Sequence, residues 1–147
     1  MKIKSLALLG AVALSIIPMA AFADLKITNN TDAPATAFAG NSPCSSSAPG
    51  GKGVIQPNGG FVEVPDWAVG IYCSSDCRAE VFMSKNCSGK PVATCIGNKR
   101  DGIKSCNNHD KRDGGYRVEG YPGKNIRIEG RAPAKAWYQK LLPVFFN

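Results

Sequence analysis

The chain has 147 residues, with 18 Lys and Arg against 11 Asp and Glu, a formal net charge of +7, six cysteines and 44% hydrophobic residues. That length suits one domain of the usual ~100–200 residues. The mixed charge excludes a disordered polyelectrolyte, and the apolar fraction suffices for a packed core.

Residues 1–23 read as a secretory signal peptide. Lys2 and Lys4 supply a positive start, Leu6 to Met19 an apolar stretch broken by small residues and Pro18, and Ala21-Phe22-Ala23 a small-x-small cleavage pattern. The apolar stretch is shorter than the ~20 residues of a transmembrane helix. The expected product begins at Asp24, and the compact signal is of bacterial type. The expected destination is export, either to the periplasm or into the medium. Without Lys2 and Lys4, 16 basic residues face 11 acidic ones. Residues 24–98 hold 5 basic and 6 acidic side chains, whereas residues 99–147 hold 11 and 5. The basic second part points to an acidic partner.

The predicted elements are short strands with turns between them. Leu25 to Thr28 alternates apolar and polar and stops at Asn29-Asn30. Residues 41–53, rich in Ser, Gly and Pro, read as a loop tethered through Cys44. Pro57-Asn58-Gly59-Gly60 is a turn joining Val54-Ile55 to Phe61–Val64. Ile71–Cys73 and Arg78–Met83 are the next strands, with a Ser-Ser-Asp loop between Cys73 and Cys77. Val92–Ile96 and Ile103–Cys106 flank an Asp101-Gly102 turn. In the last hairpin, a turn centred on Gly123 sets Arg117 opposite Glu129, Val118 opposite Ile128 and Glu119 opposite Arg127. That register puts opposite charges on one face and an apolar pair on the other. Regular short strands of this kind indicate an all-β fold, a small antiparallel β-sandwich with Greek-key character over residues 24–131. Residues 132–147 are expected to form an amphipathic C-terminal helix or tail, packed on the domain or extending from it.

All six cysteines, Cys44, Cys73, Cys77, Cys87, Cys95 and Cys106, fall after the signal. An even count in a small exported chain reads as disulfides. Cys95 and Cys106 lie on neighbouring strands and are the first expected pair. The other four pair as Cys73–Cys77 with Cys44–Cys87, or as Cys44–Cys73 with Cys77–Cys87. Zinc is disfavoured, because Cys73 and Cys77 lack a second close pair and His109 is the one histidine. No metal and no cofactor are expected.

One stretch, Phe82-Met83-Ser84-Lys85-Asn86-Cys87-Ser88-Gly89, with Ser105 further on, resembles the βγ-crystallin Greek-key signature over residues 79–106. The resemblance implies a Greek-key sandwich. Cys87 stands where that family has its second aromatic residue. Arg100 and Lys104 put cations where its calcium ligands would be, so calcium binding is not carried over. The chain also resembles other small exported, Cys-containing bacterial proteins.

Catalytic motifs are missing. The sequence has no His-Glu-x-x-His and no Gly-x-Ser-x-Gly, and His109 sits in a polar loop. Pro49-Gly50-Gly51-Lys52-Gly53 lacks the Ser or Thr that follows the lysine of a phosphate-binding loop. Asp66, Asp76 and Glu80 are the carboxylates available to a hydrolase. No catalytic residue is assigned.

Binding has better local support. Lys99-Arg100-Asp101-Gly102 and Lys111-Arg112-Asp113-Gly114 repeat one tetrapeptide, with Lys104 and His109 between them. On loops leaving one end of a sandwich, Lys99, Arg100, Lys104, Lys111 and Arg112 would form one cationic site for phosphate or sulfate. Nucleic acid is disfavoured, since no aromatic residues interleave with this run. Trp137 and Leu141, at i and i+4, with Phe145 and Phe146 beyond Pro143, suit either docking over the sandwich or peripheral membrane contact. The expectation is a monomeric, non-enzymatic exported binding protein or effector. Its expected ligand is anionic, a phosphorylated lipid headgroup or an acidic polysaccharide. The alternatives are a small envelope or secreted hydrolase and a structural or inhibitory protein acting through a sheet edge.

Overall fold

β1 (Leu25–Asn29) pairs antiparallel with β3 (Gly60–Val64), placing Leu25 beside Val64 and Ile27 beside Val62. Its apolar alternation points Leu25 and Ile27 inward, as the period of two requires. The computed structural model describes residues 24–130. Residues 1–23 and 131–147, with Trp137, Leu141, Phe145 and Phe146, lie outside the described residues.

β1 also pairs with β8 (Asn125–Glu129), and this pair is parallel. β8 pairs antiparallel with β7 (Arg117–Glu119), which completes a first sheet ordered β3-β1-β8-β7. The sandwich is therefore not purely antiparallel. A parallel pair needs a crossover connection, and here the whole second sheet intervenes between β1 and β8 in the chain. The second sheet has the order β2-β4-β5-β6 and is antiparallel throughout. It consists of β2 (Thr36–Ala39), β4 (Cys77–Phe82), β5 (Ala93–Asn98) and β6 (Gly102–Asn108). The fold is a small β-sandwich stapled by disulfides.

The last hairpin has the register expected from its alternation, with Arg117, Val118 and Glu119 opposite Glu129, Ile128 and Arg127. The charges choose different nearest partners. Arg117 Nε bonds Glu119 Oε1 on its own strand at 2.6 Å, and Arg127 Nε lies 3.5 Å from Glu129 Oε1 on its own strand, closer than the 3.9 Å from its Nη2 to the opposed Glu119 Oε2. Val118 and Ile128 are buried, each contributing roughly 1.5–3 kcal/mol relative to exposure.

Two segments differ from the sequence expectation. Ile71–Cys73 was expected as a strand, but Asp66–Tyr72 forms a short helix, α1. Pro65 precedes it with extended backbone, and Asp66 places a carboxylate in the first turn, where the helix dipole favours it. β4 is already bonded to β2 and β5, so Ile71–Cys73 has no open ladder beside it. The second difference is β2, a strand in the alanine-rich run 33–39 that carries little strand propensity. Residues 41–53 form the expected loop, with 3-10 turns at Ser45–Ser47 and Pro49–Gly51. Ile55 makes a bridge to Ala35, while β3 turns away to pair with β1.

The three disulfides are Cys44–Cys87, Cys73–Cys77 and Cys95–Cys106, and no cysteine among the described residues is free. Cys95 and Cys106 are directly opposed on β5 and β6. Bonded to each other, Cys73 and Cys77 are not available as a metal pair. This chemistry fits an oxidising compartment. Among the described residues, no helix is long and apolar enough to cross a membrane.

Candidate functional site

Packing is uneven along the sandwich. At one end Ala35, Ile55, Ala93, Val118, Ile126 and Ile128 are buried in a continuous core. Asn29 is buried there too, and its amide closes the β1–β2 connection. Asn29 Nδ2 donates to the Ala33 and Ile55 carbonyls at 2.8 and 3.0 Å, and Asn29 Oδ1 accepts from Thr31 Oγ1 at 2.7 Å. All of its polar atoms are satisfied, so this asparagine is structural.

Toward the other end, Leu25, Ile27, Val62 and Val64 stay half-buried and line a cavity of about 500 Å³ between the sheets. The opposite wall is made of small side chains. Register sets Ala39 beside Ala79 and Ala79 beside Cys95, with Ala37 beside Val81 and Cys77 beside Gly97 in the flanking rows. Sheets stack about 10 Å apart, so alanines facing valine and leucine leave space that larger residues would fill. Gly97 is fixed by its neighbours, since an added Cβ would come 2.3 Å from the Gly102 carbonyl oxygen. The volume lies within the ~300–1,000 Å³ of ligand pockets and far exceeds the water-sized voids of native cores.

The sides of the cavity are closed by the 42–53 loop, stapled through Cys44–Cys87, and by α1, stapled through Cys73–Cys77. α1 turns Ala68, Val69 and Tyr72 toward the cavity. Its position is set by Lys99 N donating to the Cys73 carbonyl at 3.0 Å and by Asp66 N donating to Asp24 Oδ1 at 3.1 Å.

Lys52, Lys99 and Lys124 line the cavity together with Glu63 and Asp66. Asp66 Oδ2 lies 3.2 Å from Lys99 Nζ, and Asp66 Oδ1, buried and without a hydrogen bond among the described residues, lies 3.7 Å from Lys124 Nζ. Lys52 is exposed and the Lys99 side chain is 42% exposed, whereas the Lys124 side chain is largely buried. The site combines apolar walls with three lysines and two carboxylates in its lining.

The basic residues singled out from sequence do not form a single patch. The two Lys-Arg-Asp-Gly turns lie at opposite ends of β6, whose seven residues span about 20 Å. A hairpin strand carries the chain from one end of the sheet to the other, so loops twelve residues apart need not share an end. Lys99 alone of the five lines the cavity. Arg100 and Lys104 sit beside it but are bound elsewhere, Arg100 to Asp101 and Lys104 Nζ to Asp76 Oδ2 at 2.9 Å. Hydrogen bonds from Lys104 and then Asn98 hold Asp76 below its ordinary value, and those from Arg100 and then Asn98 do the same for Asp101. At the far end Lys111 is exposed, and Arg112 makes two hydrogen bonds of 2.8 Å to Asp110. Those bonds hold Asp110 well below the usual carboxylate range.

The carboxylates considered for hydrolysis are similarly engaged. Glu80 Oε1 pairs with Arg78 at 2.6 Å, Asp66 with two lysines, and Asp76 with Lys104. Asp76 and Asp101 approach each other through the shared Asn98 amide, but both are lowered, whereas a general acid at neutral pH needs a raised partner. His109 contacts Thr94 Oγ1 at 2.8 Å on the outer face of the second sheet. The crystallin-like segment covers the end of β4 and the loop to β5, where Cys87 carries the disulfide and Ser105 lies on β6.

From sequence Lys52 enters only as the lysine of a rejected phosphate-binding loop, and neither Lys124 nor the cavity-lining alanines are candidates. Their one sequence signal was the run of small residues at inward positions, which becomes legible only with the strand pairing. Comparison of the chain with protein-family models, curated proteins and solved structures finds no match. Fold and site define a disulfide-stapled β-sandwich with a largely apolar cavity between its sheets and three lysines in the lining.

Proposed function

We propose that the protein is an exported, non-enzymatic binding protein for an anionic amphiphile. The apolar tail enters the space between the sheets, and the phosphate or carboxylate head stays at Lys52, Lys99 and Lys124. One observation carries this reading: a cavity of about 500 Å³ walled by Leu25, Ile27, Val62, Val64 and facing alanines also has three lysines, Lys52, Lys99 and Lys124, in its lining. Each methylene buried contributes about 0.8 kcal/mol, close to a fourfold gain in affinity. Lysine suits the head position, because its long stem places a point charge at the edge of apolar surface. An acidic glycan is the weaker candidate, since sugars need a polar groove and these walls offer few donors. Export follows from the expected signal and agrees with the disulfides.

The test is displacement of a fluorescent fatty acid from the oxidised protein by alkyl phosphates of increasing length. Affinity should rise about fourfold per methylene until the cavity is full, then level off. The neutral alcohol of matching length should bind more weakly, and the difference should shrink at high salt as the head contact is screened. Tight binding of polygalacturonate with no chain-length dependence for alkyl phosphates would favour the glycan and overturn the reading.

A further inference from the structure

The face of α1 opposite the cavity is apolar and exposed among the described residues. Trp67 is 67% exposed and Ile71 64% exposed, and they stand at i and i+4 on one side of the helix. Tyr72, 43% exposed, lies at the end of the same helix. The inner face, through Ala68, Val69 and Tyr72, forms part of the cavity wall. α1 is thus a thin partition with the cavity on one side and solvent on the other.

We infer that α1 is a membrane-docking element that sets the cavity rim against an anionic bilayer. Three observations select this occupant. Trp at the apolar–polar boundary, with Ile one turn on, is the composition of an interfacial segment. Lys99 and Lys124 lie beside α1 through Asp66, and residues 24–147 hold 16 basic against 11 acidic side chains, so the chain after the expected signal has the sign that anionic headgroups attract. The helix is also the wall of the cavity, so an amphiphile leaving the bilayer beside Trp67 has a short path inward. A flat protein partner would explain the apolar pair but not its position on the cavity wall. α1 is held by Cys73–Cys77 and by the Lys99 contact to Asp66, so the docking face is preformed.

The inference rests on the cavity reading only for what is exchanged, and the docking surface is tested separately. The oxidised protein is mixed with vesicles of phosphatidylcholine alone or with phosphatidylglycerol, and bound protein is measured by flotation. The parent should bind the mixed vesicles at least tenfold more tightly than the neutral ones. The Trp67→Ser/Ile71→Ser variant should lose at least tenfold. In a Trp137→Phe background, Trp67 emission should shift to the blue on vesicle binding and be quenched by brominated lipid. The double variant should still displace fluorescent fatty acid in vesicle-free solution, which separates loss of docking from loss of the cavity or fold. Unchanged vesicle affinity in the double variant overturns the inference while leaving the cavity reading in place. So does concentration-dependent dimerisation of the parent that the double variant abolishes, because a second copy would then be the occupant.

Discussion

Lys99 Nζ lies 3.2 Å from Asp66 Oδ2, and its stem crosses α1 where an added Cβ on Gly70 would stand 3.0 Å from Lys99 Cδ. One lysine from the β5–β6 turn thereby fixes both the helix and the rim of the cavity. Asp66 partly neutralises that rim. Asp66→Asn keeps the shape and removes one negative charge, so alkyl phosphate should bind about threefold to tenfold more tightly. This corresponds to about 1 kcal/mol for a unit charge ~6 Å away at a dielectric of ~50. The same variant should lose about 1 kcal/mol of stability with the weakened ion pairs. Titration calorimetry at low salt, with urea unfolding alongside, measures both.

Alanines at the two ends of the second sheet should respond oppositely to enlargement. Ala79 lines the cavity, so Ala79→Leu should change stability by less than ~1 kcal/mol while lowering amphiphile affinity at least tenfold. Ala93 is buried in the packed end, so Ala93→Leu should cost the ~1–3 kcal/mol of overpacking. If both variants lose the same stability, the space near Ala79 is not there.

Position, not charge alone, should decide which lysines matter. Lys52→Glu at the rim should weaken anionic amphiphile binding by about tenfold. Lys111→Glu, in the turn beyond the far end of β6, changes net charge equally and should leave affinity within about twofold at physiological salt, where the screening length is ~8 Å. Both residues are exposed, so folding should be preserved. Equal losses would show that net charge alone drives binding.

The disulfides should differ in value according to the chain they enclose. Cys44–Cys87 spans 43 residues and Cys73–Cys77 spans 4. Loop-closure entropy gives about 4 kcal/mol for the first and about 2 kcal/mol for the second. Paired Cys→Ala variants unfolded in urea should follow that order. The 44–87 variant should also lose amphiphile binding, since its loop closes one side of the cavity.

Acid sensitivity should trace in part to Asp110. Its carboxyl is held below the usual range by Arg112, with help from the Tyr116 and Arg112 backbone amides. A lowered carboxylate stabilises the fold fully above its unfolded value of ~3.9, and that stabilisation is lost as pH falls through the folded value. The melting temperature of Asp110→Asn should therefore lie below the parent's by a constant amount from about pH 5 to 8. The gap should narrow as pH falls below ~3.9. A gap that widens in acid would mean the Arg112 contact is not what lowers Asp110.

The residues themselves determined whatever depends on neighbours in the chain. Alternation in Arg117–Glu119 and Asn125–Glu129 was enough to set the last register, because a slip of one residue would have exposed Val118 and Ile128. Cys95 and Cys106 were legible as partners because one short turn places them on adjoining strands. Only the tertiary structure decided that Ile71 and Tyr72 are helical, since that depends on β4 having its edges occupied by β2 and β5. It also separated the two Lys-Arg-Asp-Gly turns by the length of β6 and brought Lys52, Lys99 and Lys124 into one cavity lining from three distant segments. The cavity belongs to the same class of fact. Ala37, Ala39, Ala79 and Gly97 are unremarked small residues along the chain and become a wall only when β2, β4 and β5 align them. Local sequence fixes which way a side chain points, whereas the space it leaves depends on what folds opposite it.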